Sequence, residues 1–278
     1  MKFQSILVQL DDTPTCEQRI RIAVRMAKRF AGAVNGRYAA QSSAGMQQDQ
    51  AFLPPAEIAR IISAKEMRHR VETQFRRIAE NEDVTSTVLS APGDDGADDI
   101  VAAVRCADLS IFGQPDIDND PAGFQRRLVE NALLGGGAPL LVVPRGVLTN
   151  ETGTNVLVAW NGGREASRSV RDALPLLTTA LHVRVVSVVE PHRGAPDGSR
   201  THDELRAYLA AHRIDVQFKR LDTASIEATE CLLSEAANVG ADLIVMGGYG
   251  HSRLREWALG GVTQRMLDSM TVPVLMSH

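Results

Sequence analysis

The chain has 278 residues, of which 44% are hydrophobic and 23% charged, with a formal net charge of −4. This length predicts two domains, since most domains have about 100–150 residues. A slightly acidic chain gives no electrostatic reason to expect nucleic acid or an anionic membrane as partner. Aromatic residues, at 4%, are too few for a platform that stacks bases. We therefore expect neither class of partner.

The cysteines and the N-terminus indicate a compartment. Cys16, Cys106 and Cys231 are odd in number and far apart, which is typical of reduced thiols and matches neither a disulfide framework nor a zinc site. The first residues show no signal-peptide pattern, and no apolar run is long enough to span a bilayer. These features predict a cytoplasmic protein.

The chain contains an internal repeat. A displacement of 150 positions aligns the strand-like run Ile6–Val8 with Val156–Val158. A displacement of 134 positions aligns Ala107–Leu109 with Ala241–Leu243, and Pro139 with Pro273. Matches in so regular a register predict two copies of one unit. We expect domains at residues 1–145 and 155–278, with residues 146–154 as a linker.

Each copy alternates apolar strands with amphipathic helices. In the second copy, helices are expected at Ala166–Leu177, His202–His212 and Ile226–Val239. The strands are predicted near Asn155–Trp160, Val183–Val189, Asp215–Arg220, Ala241–Gly247 and Val272–Met276. This alternation predicts an α/β fold with two tandem doubly wound parallel sheets of Rossmann-like type. The ligand crevice of such a fold lies at the carboxyl ends of the strands.

Two glycine turns follow the fourth strand of the second copy. Gly247 and Gly250 come directly after the apolar strand, and Gly260 and Gly261 precede a helical stretch. Glycine allows a sharp turn and a close approach of a ligand to the backbone. The N–H groups at a helix N-terminus favour phosphate. The turns predict a phosphate cradle. The alternative is that these glycines only allow ordinary loops to turn and bind no ligand.

The pattern Gly247-x2-Gly250-x9-Gly260, followed by the closing strand Val272–Met276, resembles the universal stress protein family. The resemblance implies an adenine nucleotide alpha hydrolase-like fold and a cytoplasmic stress-response protein that binds ATP or a related adenine nucleotide, with Mg²⁺ as a candidate companion ion. ATP-binding members carry Ser or Thr where this chain has Gly261. The backbone N–H remains there, and Thr263 is a candidate to supply the missing hydroxyl.

The resemblance also implies which residues contact the nucleotide. Asn161 stands where the family has an acidic adenine contact, and Val188 stands where a valine packs on the base. The alternative for Asn161 is a turn that caps the next helix. The complete set expected in the site lies at three strand ends and two glycine turns: Trp160, Asn161, Gly162, Val188, Met246, Gly247, Gly250, His251, Gly260, Gly261, Val262 and Thr263.

The first copy departs from the pattern. It keeps Gly113, but Asp116 replaces the second glycine, and Arg126 and Arg127 replace the last two. Side chains there would fill a cradle, and a carboxylate would repel phosphate. The first domain is therefore predicted to be a structural or regulatory copy that does not bind nucleotide, in which Asp11 persists as a helix cap.

The loop of the first copy also carries Asp116, Asp118 and Asp120 in alternation. The spacing of an EF-hand is absent, so we expect no calcium site and a loop exposed to solvent.

The sequence contains no clear motif for catalysis. No Walker pattern is present, no nucleophile stands beside a positioned base, and the histidines lack the spacing of metal ligands. A slow ATP hydrolase is the most that the resemblance allows. The alternative function is a scaffold or interaction module that binds no nucleotide, and in either case the protein partner is unknown.

The closing strands of the two copies are apolar and would be exposed edges if left unpaired. We therefore expect Pro139–Val143 to pair with Val272–Met276 within one chain and to form an intrachain pseudo-dimer. The sequence does not decide whether two whole chains also form a homodimer.

Overall fold

The computed structural model contains two compact units, residues 2–138 and residues 139–278. No helix among the described residues has the length and apolarity needed to cross a membrane. The described residues are 2–39, 54–89, 97–120, 122–146, 151–189, 199–222, 227–250 and 261–278.

The first unit is a four-stranded parallel sheet with helices between the strands. Its strand order is β3-β2-β1-β4. The chain leaves β1 towards β2 and later returns to the other side of β1 to form β4, so the crevice of this unit lies where β1 and β4 end. The elements are β1 (Ser5–Leu10), α1 (Cys16–Phe30), β2 (Ala33–Tyr38), α2 (Pro55–Asn81), β3 (Ser86–Val88), α3 (Ala97–Val104), β4 (Leu109–Gly113) and α4 (Phe124–Gly135).

The second unit has six strands in the order β5-β10-β9-β6-β7-β8. All pairs are parallel except β5 with β10, and the crevice lies where β6 and β9 end. The elements are β5 (Leu140–Val143), β6 (Asn155–Ala159), α5 (Arg164–Leu177), β7 (His182–Val189), α6 (Ser199–Ala211), β8 (Gln217–Asp222), α7 (Ala228–Asn238), β9 (Leu243–Gly247), α8 (Val262–Ser269) and β10 (Val274–Ser277).

The central strands form the core of each unit. Leu243, Ile244 and Val245 of β9 are fully buried, as expected for a parallel strand covered on both faces. The predicted strands and helices of the second copy are all present, with ends shifted by a few residues. The predicted α/β class with doubly wound parallel sheets is therefore confirmed.

An equivalent contact in each unit supports the internal repeat. The Asp108 carboxylate accepts hydrogen bonds from the N–H groups of Gln4 and Ser5, at 2.8 and 2.9 Å. Asp242 accepts them from Thr154 and Asn155, at 3.0 and 3.1 Å. The aspartate of each Ala-Asp-Leu segment thus holds the start of the first strand of its copy.

The closing strands pair as predicted. β5 runs antiparallel to β10, with Leu141 opposite Leu275, which confirms the pairing of these two strands within one chain. Because of this pairing, the compact second unit begins at Pro139 and includes a strand that the repeat assigns to the first copy. The domain boundaries at residues 145 and 155 stay predictions.

A buried carboxylate joins α7 to the sheet of the second unit. Glu235 is 2% exposed and accepts hydrogen bonds from Arg184 of β7, at 2.9 Å, and Lys219 of β8, at 2.7 Å. Burial by itself raises the pKa of Glu235, but these two cations outweigh burial and hold the pKa below its ordinary value of 4.5.

Candidate functional site

The glycine turn after β9 is fixed by contacts on two sides. The Gly248 N–H donates to the Ser277 carbonyl of β10 at 2.9 Å. A Cβ on Gly247 would lie 2.6 Å from the backbone nitrogen of Ala166 in α5, closer than real Cβ atoms come. Gly247 is therefore required where the first turn of α5 packs against the end of β9. Its role in the structure is to position the turn.

Thr263 ties this turn to α8. Its hydroxyl accepts a hydrogen bond from the Tyr249 N–H at 3.0 Å, and its side chain is buried. Tyr249 has a φ of +47°, a left-handed conformation that non-glycine residues seldom adopt. Thr263 was predicted as a candidate to supply a hydroxyl to the phosphate site, and in the structure its hydroxyl oxygen accepts the Tyr249 N–H and so holds the turn.

The N-terminus of α8 has no side-chain cap among the described residues. The helix begins at Val262, which is half-buried, and follows Gly261. No atom of the described residues lies within 4 Å of the position that a Cβ on Gly261 would take. The first N–H groups of a helix have no partner inside the helix, and they attract anions. His251 and Gly260, two other predicted contacts, lie outside the described residues.

An acidic side chain also faces the glycine turn. Glu165, the second residue of α5, is 5% exposed, and its Oε1 lies 3.1 Å from Arg164 Nη2. Its Oε2 would be 3.4 Å from a Cβ on Gly250. A negative charge in this position opposes a bare phosphate, and it suits a divalent cation that accompanies one.

The end of β6 carries two of the predicted contacts. Asn161 is exposed, and its Oδ1 accepts a hydrogen bond from the Gly163 N–H at 2.9 Å, which confirms its role in the turn before α5. Its amide nitrogen has no hydrogen-bond acceptor among the described residues. The Trp160 carbonyl accepts from the Ser187 hydroxyl at 2.7 Å, and the indole N–H donates to Thr201 at 3.4 Å.

The predicted site residues thus fall into separate groups. Gly247, Gly250 and Thr263 lie together at the glycine turn, but Gly162, with a φ of +71°, faces Thr201 of α6. Two further predicted residues belong to strands. Val188 is half-buried near the end of β7, and Met246 is 4% exposed in the core strand β9. The prediction for Met246 therefore concerns its backbone, because its side chain packs in the core.

In the first unit the corresponding crevice is filled by the protein's own side chains. Arg19 is 1% exposed, its Nη2 lies 2.7 Å from Asp11 Oδ2, and its Nε donates to the Gln9 carbonyl at 2.7 Å. Asp11 also accepts from the Thr13 N–H at 3.1 Å, so it holds the turn as predicted. A Cβ on Gly113 would lie 2.3 Å from Arg19 Nη1. The guanidinium therefore occupies the space beside the retained glycine.

The anion position of the first unit is also occupied. The Asp120 carboxylate accepts hydrogen bonds from the N–H groups of Phe124 and Gln125, at 2.8 and 2.7 Å, at the start of α4. Asp120 is 9% exposed, so the expectation of a solvent-exposed aspartate loop is wrong for this residue. The helix dipole and the free N–H groups draw the carboxylate inwards. Asp118 is exposed as predicted.

Metal ligands do not cluster in the part of the chain that the structure describes: no group of three or more His, Cys, Asp or Glu side chains meets there. The cysteines of this part are unpaired thiols. Burial raises the pKa of Cys16, the thiol that adjoins Asp11 and Arg19.

The profile of the Universal stress protein family matches residues 154–278, which include the glycine turn, the start of α8 and the strand β10. Residues 154–278 are therefore a universal stress protein domain. No curated protein sequence matches the chain.

Solved structures of universal stress proteins share the fold along the whole chain. A universal stress protein from Archaeoglobus fulgidus has a TM-score of 0.74 at 14% identity, covering 100% of this chain and 99% of its own. One from Pseudomonas aeruginosa, described as putative, has a TM-score of 0.57 at 15% identity and covers 99% of this chain and 93% of its own. At these identities the likeness shows the fold alone.

Three residues that shape the two crevices were missed by sequence reasoning. Asp120 carries a recognisable signal, because an acidic residue just before a helix is a capping pattern. Glu165 is typical of the acidic first turn of a helix, but its approach to Gly250 depends on tertiary packing. Arg19 lies on an otherwise apolar helix face, and nothing in its local sequence indicates that the guanidinium is buried against Asp11.

Proposed function

We propose that the second domain binds one adenine nucleotide, ATP or a relative of it, with the phosphates at the Gly247–Thr263 loops and the base near Asn161 and Val188. The observation that carries the proposal is the difference between two helix N-termini. In the first unit Asp120 satisfies the start of α4, whereas no described residue caps α8 or lies within 4 Å of a Cβ on Gly261. An anion at the second terminus would displace no side chain of the described residues.

Glu165 makes this proposal depend on a cation. Its buried carboxylate lies against Gly250, and a phosphate approaching the turn would be repelled unless a divalent ion lay between the two. Mg²⁺ is a suitable ion, because it commonly combines one or two carboxylates with substrate phosphates. We therefore expect nucleotide affinity to be higher with Mg²⁺ than with a chelator, and we expect Glu165 to be its protein ligand.

Calorimetric titration of the full chain with ATP tests the proposal. One site per chain is expected, and Gly250→Asp should abolish it by adding a side chain and a charge where the phosphates bind. Asp116→Asn, at the corresponding position of the first unit, is the matched control and should leave the titration unchanged. Two comparable sites, or binding unaffected by Gly250→Asp, would overturn the assignment.

A scaffold that binds no nucleotide is the second candidate, and two contacts favour it. Asn161 Oδ1 already accepts from Gly163, and Glu165 opposes phosphate in the absence of a metal. Absence of heat with ATP, ADP, AMP and cyclic AMP, with and without Mg²⁺, would support this candidate. Under either function we propose a cytoplasmic role in a stress response, supported by the family match of residues 154–278, with at most slow hydrolysis of ATP and a protein partner of unknown identity.

A further inference from the structure

A cavity of about 250 Å³ lies between α5 and α6 in the second unit. Its floor is apolar and consists of Trp160, Val170 and Leu205. Arg171 and Ser167 line the wall formed by α5, and Glu204 lines the wall formed by α6. The volume lies just below the range of about 300–1,000 Å³ that is typical of drug-sized ligands, so a smaller molecule fits.

The first unit shows that such a gap is not inherent to the fold. Its equivalent helices, α1 and α2, pack directly on each other. The Gln74 amide of α2 donates to Glu17 Oε2 of α1 at 2.7 Å. Glu17 Oε1 in turn lies 2.6 Å from Arg21 Nη2, one turn along the same helix. One carboxylate thus joins the two helices and neutralises a guanidinium.

The 150-position repeat shows what changed in the second unit. Arg171 corresponds to Arg21, but Ser167 replaces Glu17. The guanidinium is retained without its carboxylate, and the Arg171 side chain makes no hydrogen bond or ion pair with any residue that the structure describes. The cavity opens where the two helices of the first unit are joined.

We propose that this cavity binds a small organic monocarboxylate, whose anionic group pairs with Arg171 in place of the carboxylate that Glu17 supplies in the first unit. A guanidinium binds a carboxylate through two parallel hydrogen bonds, and Ser167 offers a further hydroxyl. The apolar body of the ligand packs on Trp160, Val170 and Leu205. Glu204 on the facing wall disfavours a second anionic group, so the ligand carries one negative charge.

Nuclear magnetic resonance of the full chain with benzoate as the probe tests this site. The indole N–H of Trp160, identified by its loss in Trp160→Phe, is the reporter on the cavity floor. For so small a probe we expect saturation with a Kd of about 1 mM. Benzamide, which has the same ring and no charge, should shift the signal at least about tenfold less at equal concentration, because it cannot form an ion pair with Arg171.

Ser167→Glu is the decisive variant, because it restores the carboxylate of the first unit. It should weaken benzoate binding at least about tenfold, and Arg171→Gln should do the same through loss of the charged hydrogen bonds. Glu204→Gln is the matched control and should bind benzoate at least as well as the native chain. Both α5 positions are at the surface, so the variants should fold, and circular dichroism checks this.

Three outcomes would overturn the proposal: equal responses to benzoate and benzamide, unchanged benzoate affinity in Ser167→Glu, or displacement of benzoate by AMP. The last result would make the cavity part of the proposed nucleotide site. Binding of benzoate by a chain that binds no nucleotide would support the cavity and reject the nucleotide function alone, so the two proposals fail separately.

Discussion

Arg19 Nη2 lies 2.7 Å from Asp11 Oδ2 in the first unit, and the two side chains are only 1% and 9% exposed. At the corresponding positions of the second unit stand Ser169 and Asn161, which are neutral. A charged pair therefore fills the first crevice, whereas the second has neither charge. The two copies keep one fold and differ in what occupies the space where their central strands end.

Removal of one partner of this pair should destabilise the first unit strongly. Arg19→Met leaves the Asp11 carboxylate buried without its cation, and we expect the free energy of unfolding to fall by about 3–5 kcal/mol. Urea denaturation at pH 7 measures this change. The double variant Asp11→Asn, Arg19→Met should recover at least half of the loss, because no unpaired charge remains. A single variant that loses less than about 1 kcal/mol would contradict the buried ion pair.

Asp120→Ala should lower the free energy of unfolding by about 1 kcal/mol, because the first N–H groups of α4 lose their acceptor. A change of this size corresponds to a fall of about 3 °C in Tm, which differential scanning calorimetry resolves. Asp118→Ala is the control, since Asp118 is exposed in the same loop. Equal Tm values for the two variants would show that the cap contributes nothing.

The glycines of the second unit should respond differently to an added methyl group. Gly247→Ala places a Cβ 2.6 Å from the backbone of α5, and we expect a loss of about 2 kcal/mol or more, as for an overpacked core. Gly261→Ala adds a methyl group in open space and should change stability by less than about 0.5 kcal/mol. Thermal unfolding distinguishes the two. Similar Tm values would show that α5 can move away from β9.

Gly261→Ser tests the departure from the family pattern. The open space accommodates the side chain, and serine is a favoured N-cap residue. We expect ATP affinity to rise by a factor of about 5, because the hydroxyl offers the phosphates one more hydrogen bond. Calorimetric titration measures the change, with Gly261→Ala as the control for the added carbon. An equal effect of both substitutions would assign the change to backbone stiffening.

Glu235 should give the second unit a defined dependence on pH. Because the folded-state pKa is lowered, the stabilisation by Arg184 and Lys219 is fully present above about pH 4.5 and is lost as the pH falls further. Glu235→Gln should therefore cost about 1–2 kcal/mol at pH 7, and this cost should shrink below pH 4.5. Urea denaturation at pH 7, 5 and 4 tests the prediction. A cost that does not change with pH would rule out the ionised form as its source.

The bare edge of β10 should promote association. Residues 155–278, expressed without β5, expose an apolar strand and should dimerise or aggregate. The full chain retains the pairing of Leu141 with Leu275 and should associate less at the same concentration. Analytical ultracentrifugation compares the fragment with the full chain. A monomeric fragment at high concentration would show that β10 needs no partner strand.

The sequence was sufficient for the fold because strand and helix periodicity repeats along the chain. It also located the pairing of β5 with β10, since two apolar edge strands need a partner. Local patterns could not show that Arg19 turns inwards to Asp11. They likewise could not show that Glu165 meets Gly250, because each contact joins segments whose approach depends on the packing of a helix on a sheet.

The site was predictable in part. The glycines were found at the turn, yet Gly247 is explained by the packing of α5 and not by a ligand. Thr263 was identified as a neighbour of the turn, but its hydroxyl oxygen accepts from Tyr249. A glycine or hydroxyl in a motif indicates that other atoms come close to the backbone at that position. Only the three-dimensional structure shows whether those atoms belong to a ligand or to the protein itself.

The pairing of β5 with β10 has a consequence for how the chain folds during synthesis. Leu141 and Leu275 are 134 positions apart, so a ribosome must make almost all of the second copy before β5 can pair with β10. Contacts of such long range form slowly because the intervening chain must first be ordered. Until then the edge of β5 that receives β10 is unpaired and apolar, available to chaperones and to identical nascent chains. The final strand of the second copy thus closes this edge.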